Sequence, residues 1–452
     1  MASEATINPS LSLTEESKEQ TLSQKIGGVF IAIAVLALIA AIAGAGKEYP
    51  SLFLGIIISM FSLGAISYAL PYFQGSAGIR NNGIMFKSMT NKGTIAWILA
   101  ILLTGFYIII YWYAWAFEGL IRIFDPLSKL LSGKPADQWF MYGALYTLAI
   151  LTMGIRFIGR YRHSRYHVIR TFSVMFFQTG FAFLIPMFLK KLNEPEFYFS
   201  YFWPLKYNYL FPSDVSSLAS SGNLGVFMVF WGAMMTFIAT PILTYNYGKR
   251  WYCSWVCGCG GLAETAGDPY RHLSDKSLKA WKIERWMVHS VLVFITVTTI
   301  LLWLNSYYKG GLLGSVSGSF AQWYGFFIGA IFSGVIGVGF YPIMGSRVWC
   351  RFGCPMAALL GIFQRFKSKF RITTNGGQCI SCGNCSTYCE MGIDVRSYAQ
   401  KGQNIVRASC VGCGICASVC PRGVLNLENG KEEGRIEDKP FTIGNNNIQV
   451  HL

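Results

Sequence analysis

Eight of the chain's thirteen cysteines fall in two runs, CISCGNCSTYC at 379–389 and CVGCGICASVCP at 410–421, each spaced Cys-x2-Cys-x2-Cys-x3-Cys. Thiolates two residues apart can wrap one corner of an iron–sulfur cube, each on a different iron, while the fourth points toward a second cube. The spacing predicts two interleaved ligand sets. Cys379, Cys382, Cys385 and Cys420 would hold one [4Fe–4S] cluster, and Cys410, Cys413, Cys416 and Cys389 the other. Gly383, Gly412 and Gly414 supply tight turns that bring backbone N–H groups to the sulfurs. A zinc ribbon would need one set of four ligands, not two interleaved sets. Pro421 closes the second run, whereas Glu390 stands at the matching place in the first. That departure leaves the ligands intact and bears on the local turn and potential.

The other five cysteines form a second constellation. WYCSWVCGCGG carries Cys253, Cys257 and Cys259, and VWCRFGCPMAALLG carries Cys350 and Cys354. Each Cys-x3-Cys pair follows a long apolar segment, and the leads KRWYC and SRVWC echo one another. The two pairs could converge into one four-thiolate site. Three uses stay open: a third iron–sulfur cluster, [2Fe–2S] or [4Fe–4S]; a redox-active thiol pair or soft copper(I) site; or structural thiols. Cys259 is the spare, and the sequence does not say whether it or Cys257 turns inward.

The elements that must position these residues are membrane helices. Of 452 residues 53% are hydrophobic and only 13% charged, against roughly 25% charged in ordinary globular domains. Apolar runs of about 20 residues predict eight spans, at 26–46, 51–72, 94–117, 139–158, 171–189, 224–246, 286–306 and 323–344. The expected fold is an α-helical multi-pass membrane protein with a C-terminal α+β domain around the cysteine runs. It divides into a polar tail (1–25), a transmembrane domain (26–345) with a cysteine-containing loop at 247–285, a Cys-x3-Cys-Pro segment and linker (346–371), a two-cluster domain (372–428) and a second polar tail (429–452). The first 25 residues lack the basic start and short apolar core of a cleaved signal peptide.

The formal charge of +16 follows the loops rather than a nucleic-acid surface. Arg80, Lys87 and Lys92 lie between spans 2 and 3, five arginines lie in RFIGRYRHSRYHVIR between spans 4 and 5, and the loop between spans 6 and 7 balances to +3. The alternate loops are neutral or nearly so. By the positive-inside rule both termini and all the cysteines face the cytoplasm of a bacterial inner membrane. A reducing compartment argues against a disulfide framework and for metal or redox thiols.

A quinone site would need an apolar slot and a proton acceptor or donor. His289, one turn inside span 7, is the candidate catalytic residue, because an ionisable side chain at membrane depth is a functional hypothesis by default. His163 and His167, among arginines, read as lipid-headgroup contacts. Glu264, Asp268 and His272 read as a proton entry or a helix cap. Gly325 and Gly329 would permit close helix packing, and Pro186 and Pro241 would kink spans 5 and 6. The outer face offers no cysteine or histidine, so electron transfer fully across the membrane would need a partner subunit.

Residues 372–428 resemble the bacterial two-cluster ferredoxins. Over about 224–428, with motifs at 253–257, 350–355, 379–389 and 410–421, the chain is similar to membrane polyferredoxins of the NapH/NosR type. The resemblance implies a quinol-linked oxidoreductase that exchanges electrons between the quinone pool and cytoplasmic-side clusters, with other redox subunits as partners. Related proteins of the CcoG type imply an alternative, copper reduction for oxidase assembly, and a pure relay subunit is a third. Gly258 stands where the family has proline, Cys259 is extra, eight spans exceed the smaller members, and the flavin of the larger members is not carried over.

Overall fold

The computed structural model describes residues 20–74, 93–429, 441–443 and 448–450. Within them, eight helices are long and apolar enough to cross a membrane: Leu22–Ile42, Pro50–Pro71, Thr94–Trp112, Gln138–Tyr161, Arg165–Lys191, Asn223–Tyr247, Leu278–Tyr307 and Ser317–Ile336. The basic loop with Arg80, Lys87 and Lys92 lies outside the described residues. Several spans begin at a cap that the sequence supplies. Asp137 accepts the Phe140 N–H at 2.7 Å, Ser277 accepts that of Ala280 at 3.1 Å, and Thr21 forms a capping box with Gln24. Apolar side chains such as Leu36, Ile101, Leu102, Phe230 and Val293 stay exposed along the spans, as a lipid-facing surface requires.

Three spans contain π-helical turns, at Phe177–Leu184, Met235–Ala239 and Gly325–Ile336. The first two immediately precede the turns that hold Pro186 and Pro241, where the missing proline N–H breaks the helical ladder. Gly325 does not serve a helix crossing as the sequence suggested. Its bare Cα faces the Tyr207 ring, which any side chain there would displace.

Two connections run back into the membrane instead of over its surface. After the fifth span, the Ser200 carbonyl accepts the Tyr252 hydroxyl at 2.9 Å, and the Trp203 indole donates to Thr299 of the seventh span at 3.1 Å. Thr236, in the middle of the sixth span, donates to the Trp203 carbonyl at 3.2 Å. The stretch 250–273, expected as a surface loop, is folded into short helices, Arg250–Cys253 and Gly258–Thr265, and is almost entirely buried.

After the eighth span, helix Pro355–Lys367 leads to strand β1 (Phe370–Thr374), which pairs antiparallel with β2 (Leu425–Asn429), Phe370 opposite Asn429. Between them lie the two cysteine runs and three short helices, Asn384–Thr387, Val395–Gln400 and Ile415–Ser418. A further antiparallel pair, β3 (Phe441–Ile443) and β4 (Ile448–Val450), follows in what the sequence suggested was a polar tail. Phe370, Ile372, Ile393 and Leu425 of the cysteine-run region share one buried core with Tyr252, Trp349, Met356 and Leu360. This region is therefore packed onto the membrane helices, not tethered beside them.

Candidate redox site

The cysteine runs form the same local structure twice. Gly383 and Gly414, with φ of 81° and 83°, each cap a single helical turn that carries the third cysteine of its run, Cys385 or Cys416. Only glycine takes that left-handed conformation at no steric cost. Cys379, Cys382, Cys385 and Cys420 line one cavity. Burial pushes the Cys385 thiol up to about 12; the Ser386 N–H lowers it, and Cys382, Cys420 and Cys379 raise it further. Burial likewise raises Cys416, followed by Cys413, Cys389 and Cys410. The fold thus places Cys379, Cys382, Cys385 and Cys420 around one cavity, and Cys413, Cys389, Cys410 and Cys385 near Cys416.

The Cys-x3-Cys pairs also share one geometry. Cys257 and Cys354 both have extended backbone and cap a following helix, with Gly258 or Pro355 as its first residue. Each N–H bonds five residues back, to the carbonyl of Tyr252 or Trp349, at 2.9 Å in both cases. Cys253, Cys257, Cys350 and Cys354 are all buried in one core cluster. Cys350, Cys253 and Cys257 are the thiols that surround Cys354. Arg347 ties the halves together: its Nη1 donates to the Cys253 carbonyl at 3.2 Å and stands 3.6 Å from Cys350 Sγ. Cys259 is only partly buried and packs against the same cluster. Gly258, the residue between Cys257 and Cys259, packs so closely on Gln178 and Tyr201 that a side chain would collide with both.

These contacts also fix the depth of the site. Gln178 lies about 20 Å along its helix from Arg165, at 1.5 Å per residue. Met235, packed against the thiol cluster, sits midway along the sixth span, and Gly261 packs on Val174 and Ile150. Cys257, next to Gly258, therefore lies level with the middle of the fifth span, deeper than the span-end position that the sequence suggested.

A buried ion-pair chain connects this site to the cysteine runs. Arg170 and Arg347 bind Glu264 at 2.7 and 2.6 Å, and Arg347 and Arg271 bind Glu390 at 3.0 and 2.7 Å. Arg271 and Arg160 bind Asp268 at 3.2 and 2.7 Å. Burial opposes the charge on Glu390, but Arg271 and Arg347 outweigh it and hold the carboxyl below its usual range. The same balance holds Asp268 low, where Arg160 and Arg271 outweigh burial. Glu390, the residue in place of proline, thus joins Cys389 to the Arg347–Cys350 contact. Glu264 and Asp268 are both buried members of this chain of ion pairs.

The 410–413 loop is fixed through its carbonyls. Tyr166 donates to Gly412, Ser254 to Val411 and Gln364 to Cys410, each at 2.8 Å, and Arg170 donates to Cys413. His167 meets Ser418 Oγ at 2.5 Å. Arg160, His167 and Arg170 thus turn inward onto protein, which overturns the lipid-headgroup reading for them, while His163 is exposed. Arg170, Tyr166 and Gln364 were missed because nothing in the sequence marks a docking residue. Arg347 stood in the repeated lead SRVWC, which was a usable signal.

His289 lines a cavity of about 450 Å³ between the seventh span, helix Pro355–Lys367 and the 398–409 loop, whose walls include Cys350. The cavity also holds the Glu284–Arg351 ion pair (3.1 Å) and the apolar faces of Trp281, Val288, Ile362 and Phe366. His289 therefore shares a cavity with one thiol of the buried site. His272 is buried elsewhere, beside Lys276.

Residues 229–278 and again 324–373 match the family described as a 4Fe-4S binding domain, and 378–425 matches a 4Fe-4S dicluster domain. The doubled match coincides with the structural repeat of the Cys-x3-Cys pairs. The chain is 24% identical over 175 residues to the Escherichia coli protein named "Putative electron transport protein YccM", covering 37% of this chain and 48% of that one. It is 25% identical over 168 residues to an uncharacterized protein of Methanocaldococcus jannaschii, MJ0749, covering 36% and 59%, and 22% identical over 209 residues to a second, MJ0750, covering 46% and 83%. The chain spans about half the length of the first two relatives it matches. No solved structure matches it. The protein is thus an iron–sulfur-binding chain with eight apolar, membrane-length helices among its described residues.

Proposed function

We propose that this protein exchanges electrons between the membrane quinone pool and a pair of [4Fe–4S] clusters, by way of a third iron–sulfur cluster held inside the bilayer. The observation that carries the reading is the convergence of Cys253, Cys257, Cys350 and Cys354 in one buried site beside the two interleaved ligand sets. Cys379, Cys382, Cys385 and Cys420 would hold the outermost cluster, and Cys410, Cys413, Cys416 and Cys389 the one docked on the membrane helices. Four thiols and glycine-built turns suit a cubane in each set, and a cavity lies between the cysteines of the outer one.

Such clusters, when bound, supply one-electron transfer at potentials set by charge, hydrogen bonds and exposure. The residues of the chain set those conditions. Ligand thiols bind as thiolates, so cluster loading releases any protons they carry. Arg347 places positive charge against Cys350 and so favours added negative charge there. At the His289 cavity, Trp281, Val288, Ile362 and Phe366 offer an apolar slot for a quinol ring, and His289 and the Glu284 carboxylate can take up its protons. Oxidation of a quinol yields two electrons and two protons, and the Cys350 wall gives the electrons a short way inward. By the charge of the connecting loops, the dicluster side is the cytoplasmic side of a bacterial membrane.

The test is reduction of the clusters by a short-chain quinol in proteoliposomes, followed by EPR, in wild type and His289→Ala. Quinol reduction should slow by about 10²-fold in the variant, the usual scale for a lost acid–base group, while dithionite still reduces every cluster. Clusters that dithionite reduces and no quinol reduces at any driving force would rule out the quinone role and leave a pure relay.

A further inference from the structure

The two ligand sets of the cysteine-run region are unequally accessible. The set holding Cys410, Cys413 and Cys416 is pinned to the membrane helices through four carbonyls, as described above. The other set opens outward: Cys382 is exposed, and so is the neighbouring Ile380. Arg396 and Arg422, both exposed, line the same cavity as Cys379, Cys382, Cys385 and Cys420, and among the described residues no acid lines it. Lys401, also exposed, directly follows Gln400, whose amide donates to Ser381 Oγ at 2.6 Å. That bond holds the loop tip at Ser381, where φ is 57°. The nearby acid, Asp394, already accepts the Ser386 hydroxyl at 2.7 Å.

A small apolar centre with a charged rim is the anatomy of a transient electron-transfer interface, which buries little area and gains its rate from electrostatic steering. We propose that the Ile380–Cys382 edge, ringed by Arg396, Lys401 and Arg422, is the docking surface for an acidic, soluble one-electron carrier. The carrier's acidic rim pairs with the three cations while its redox group approaches the exposed Cys382 edge. One electron passes between the carrier and the outermost cluster, the carrier being oxidised as the cluster is reduced or the reverse. The inference rests on the reading that Cys379, Cys382, Cys385 and Cys420 hold a cluster.

Detergent-solubilised full-length protein and an oxidised acidic flavodoxin provide the test, with binding measured calorimetrically against salt concentration. Wild type should bind at low salt and lose affinity as salt rises, because screening shortens the reach of the rim charges. Arg396→Glu with Arg422→Glu should weaken binding by about tenfold or more and flatten the salt dependence. Arg396→Lys with Arg422→Lys should retain most of it. EPR of dithionite-reduced samples is the independent check on the sites themselves. With both dicluster signals intact, equal binding by the charge-reversed variant, or tighter binding of wild type to a basic cytochrome than to the flavodoxin, would overturn the docking surface alone. Wild-type protein reconstituted with iron and sulfide that lacks the signal assigned to the Cys382 set would overturn the ligand reading beneath it.

Discussion

Arg347 is the residue through which the account is most exposed to disproof. Its guanidinium touches the Cys253 carbonyl, Cys350 Sγ, Glu264 and Glu390 at once. Arg347→Gln removes a positive charge 3.6 Å from Cys350 Sγ. At an effective dielectric of about 20, a unit charge at that distance is worth about 4–5 kcal/mol. An added electron is shared among four thiolates and the inorganic core, so roughly a quarter of this acts on the reduced state, about 1 kcal/mol. For a one-electron couple that lowers the midpoint potential by about 50 mV. Glu264 and Glu390, each left with one arginine partner, push the same way. An EPR-monitored redox titration should show the buried centre shifted down in Arg347→Gln and nearly restored in Arg347→Lys. Because removing one partner of a buried pair costs about 3–5 kcal/mol, thermal unfolding is measured alongside to show that the variant is folded. A buried centre that is present in Arg347→Gln with an unchanged or higher potential would refute the placement of Arg347 against the thiolate site.

Further expectations follow from the same geometry. Cys259→Ser should leave the buried centre's spectrum intact, whereas Cys257→Ser should abolish it, as judged by EPR of reduced samples; the reverse result would mean that Cys259 and not Cys257 turns inward. Glu390→Gln should destabilise the folded protein by about 3–5 kcal/mol near neutral pH, from the unpaired buried arginines. Arg271 and Arg347 hold Glu390 below its unfolded value of about 4.3. Its stabilisation is therefore complete above that pH and is lost as pH falls through the lower folded value. Unfolding followed from pH 7 to 3 should show this acid limb in wild type and a shallower one in Glu390→Gln. Ala358→Trp, which fills the His289 cavity from helix Pro355–Lys367, should block quinol reduction and spare dithionite reduction of the clusters; unimpaired quinol reduction would move the quinone elsewhere.

The parts legible in the sequence were those that a short pattern encodes. Cysteine spacing carried the two ligand sets, because each set is made mostly within one run, and apolar run length carried the eight spans. The repeated leads before Cys253 and Cys350 carried the convergence of the pairs. Depth was not legible, because the re-entrant stretch GCGGLAE is too short and too glycine-rich to look like a membrane element. The ion-pair chain was hidden for a different reason. Arg170, Glu264, Arg347 and Glu390 are far apart in the chain, and each has a blander local reading: a headgroup contact, a cap, part of a lead, an altered turn. Only the fold puts Glu390 within 3.0 Å of the arginine that touches Cys350. The arginines of RFIGRYRHSRYHVIR show the limit of charge counting, since the residues that would mark a cytoplasmic loop also dock a domain.

The central claim is a third iron–sulfur cluster inside the membrane, and iron with acid-labile sulfide per chain tests it most directly. Both are measured, with EPR, on protein reconstituted anaerobically, for wild type and Cys350→Ser. Three cubane sites predict about twelve irons in wild type and about eight in the variant, with one EPR signal lost. About eight in both, with identical spectra, would contradict the claim and leave the buried thiols without a cluster.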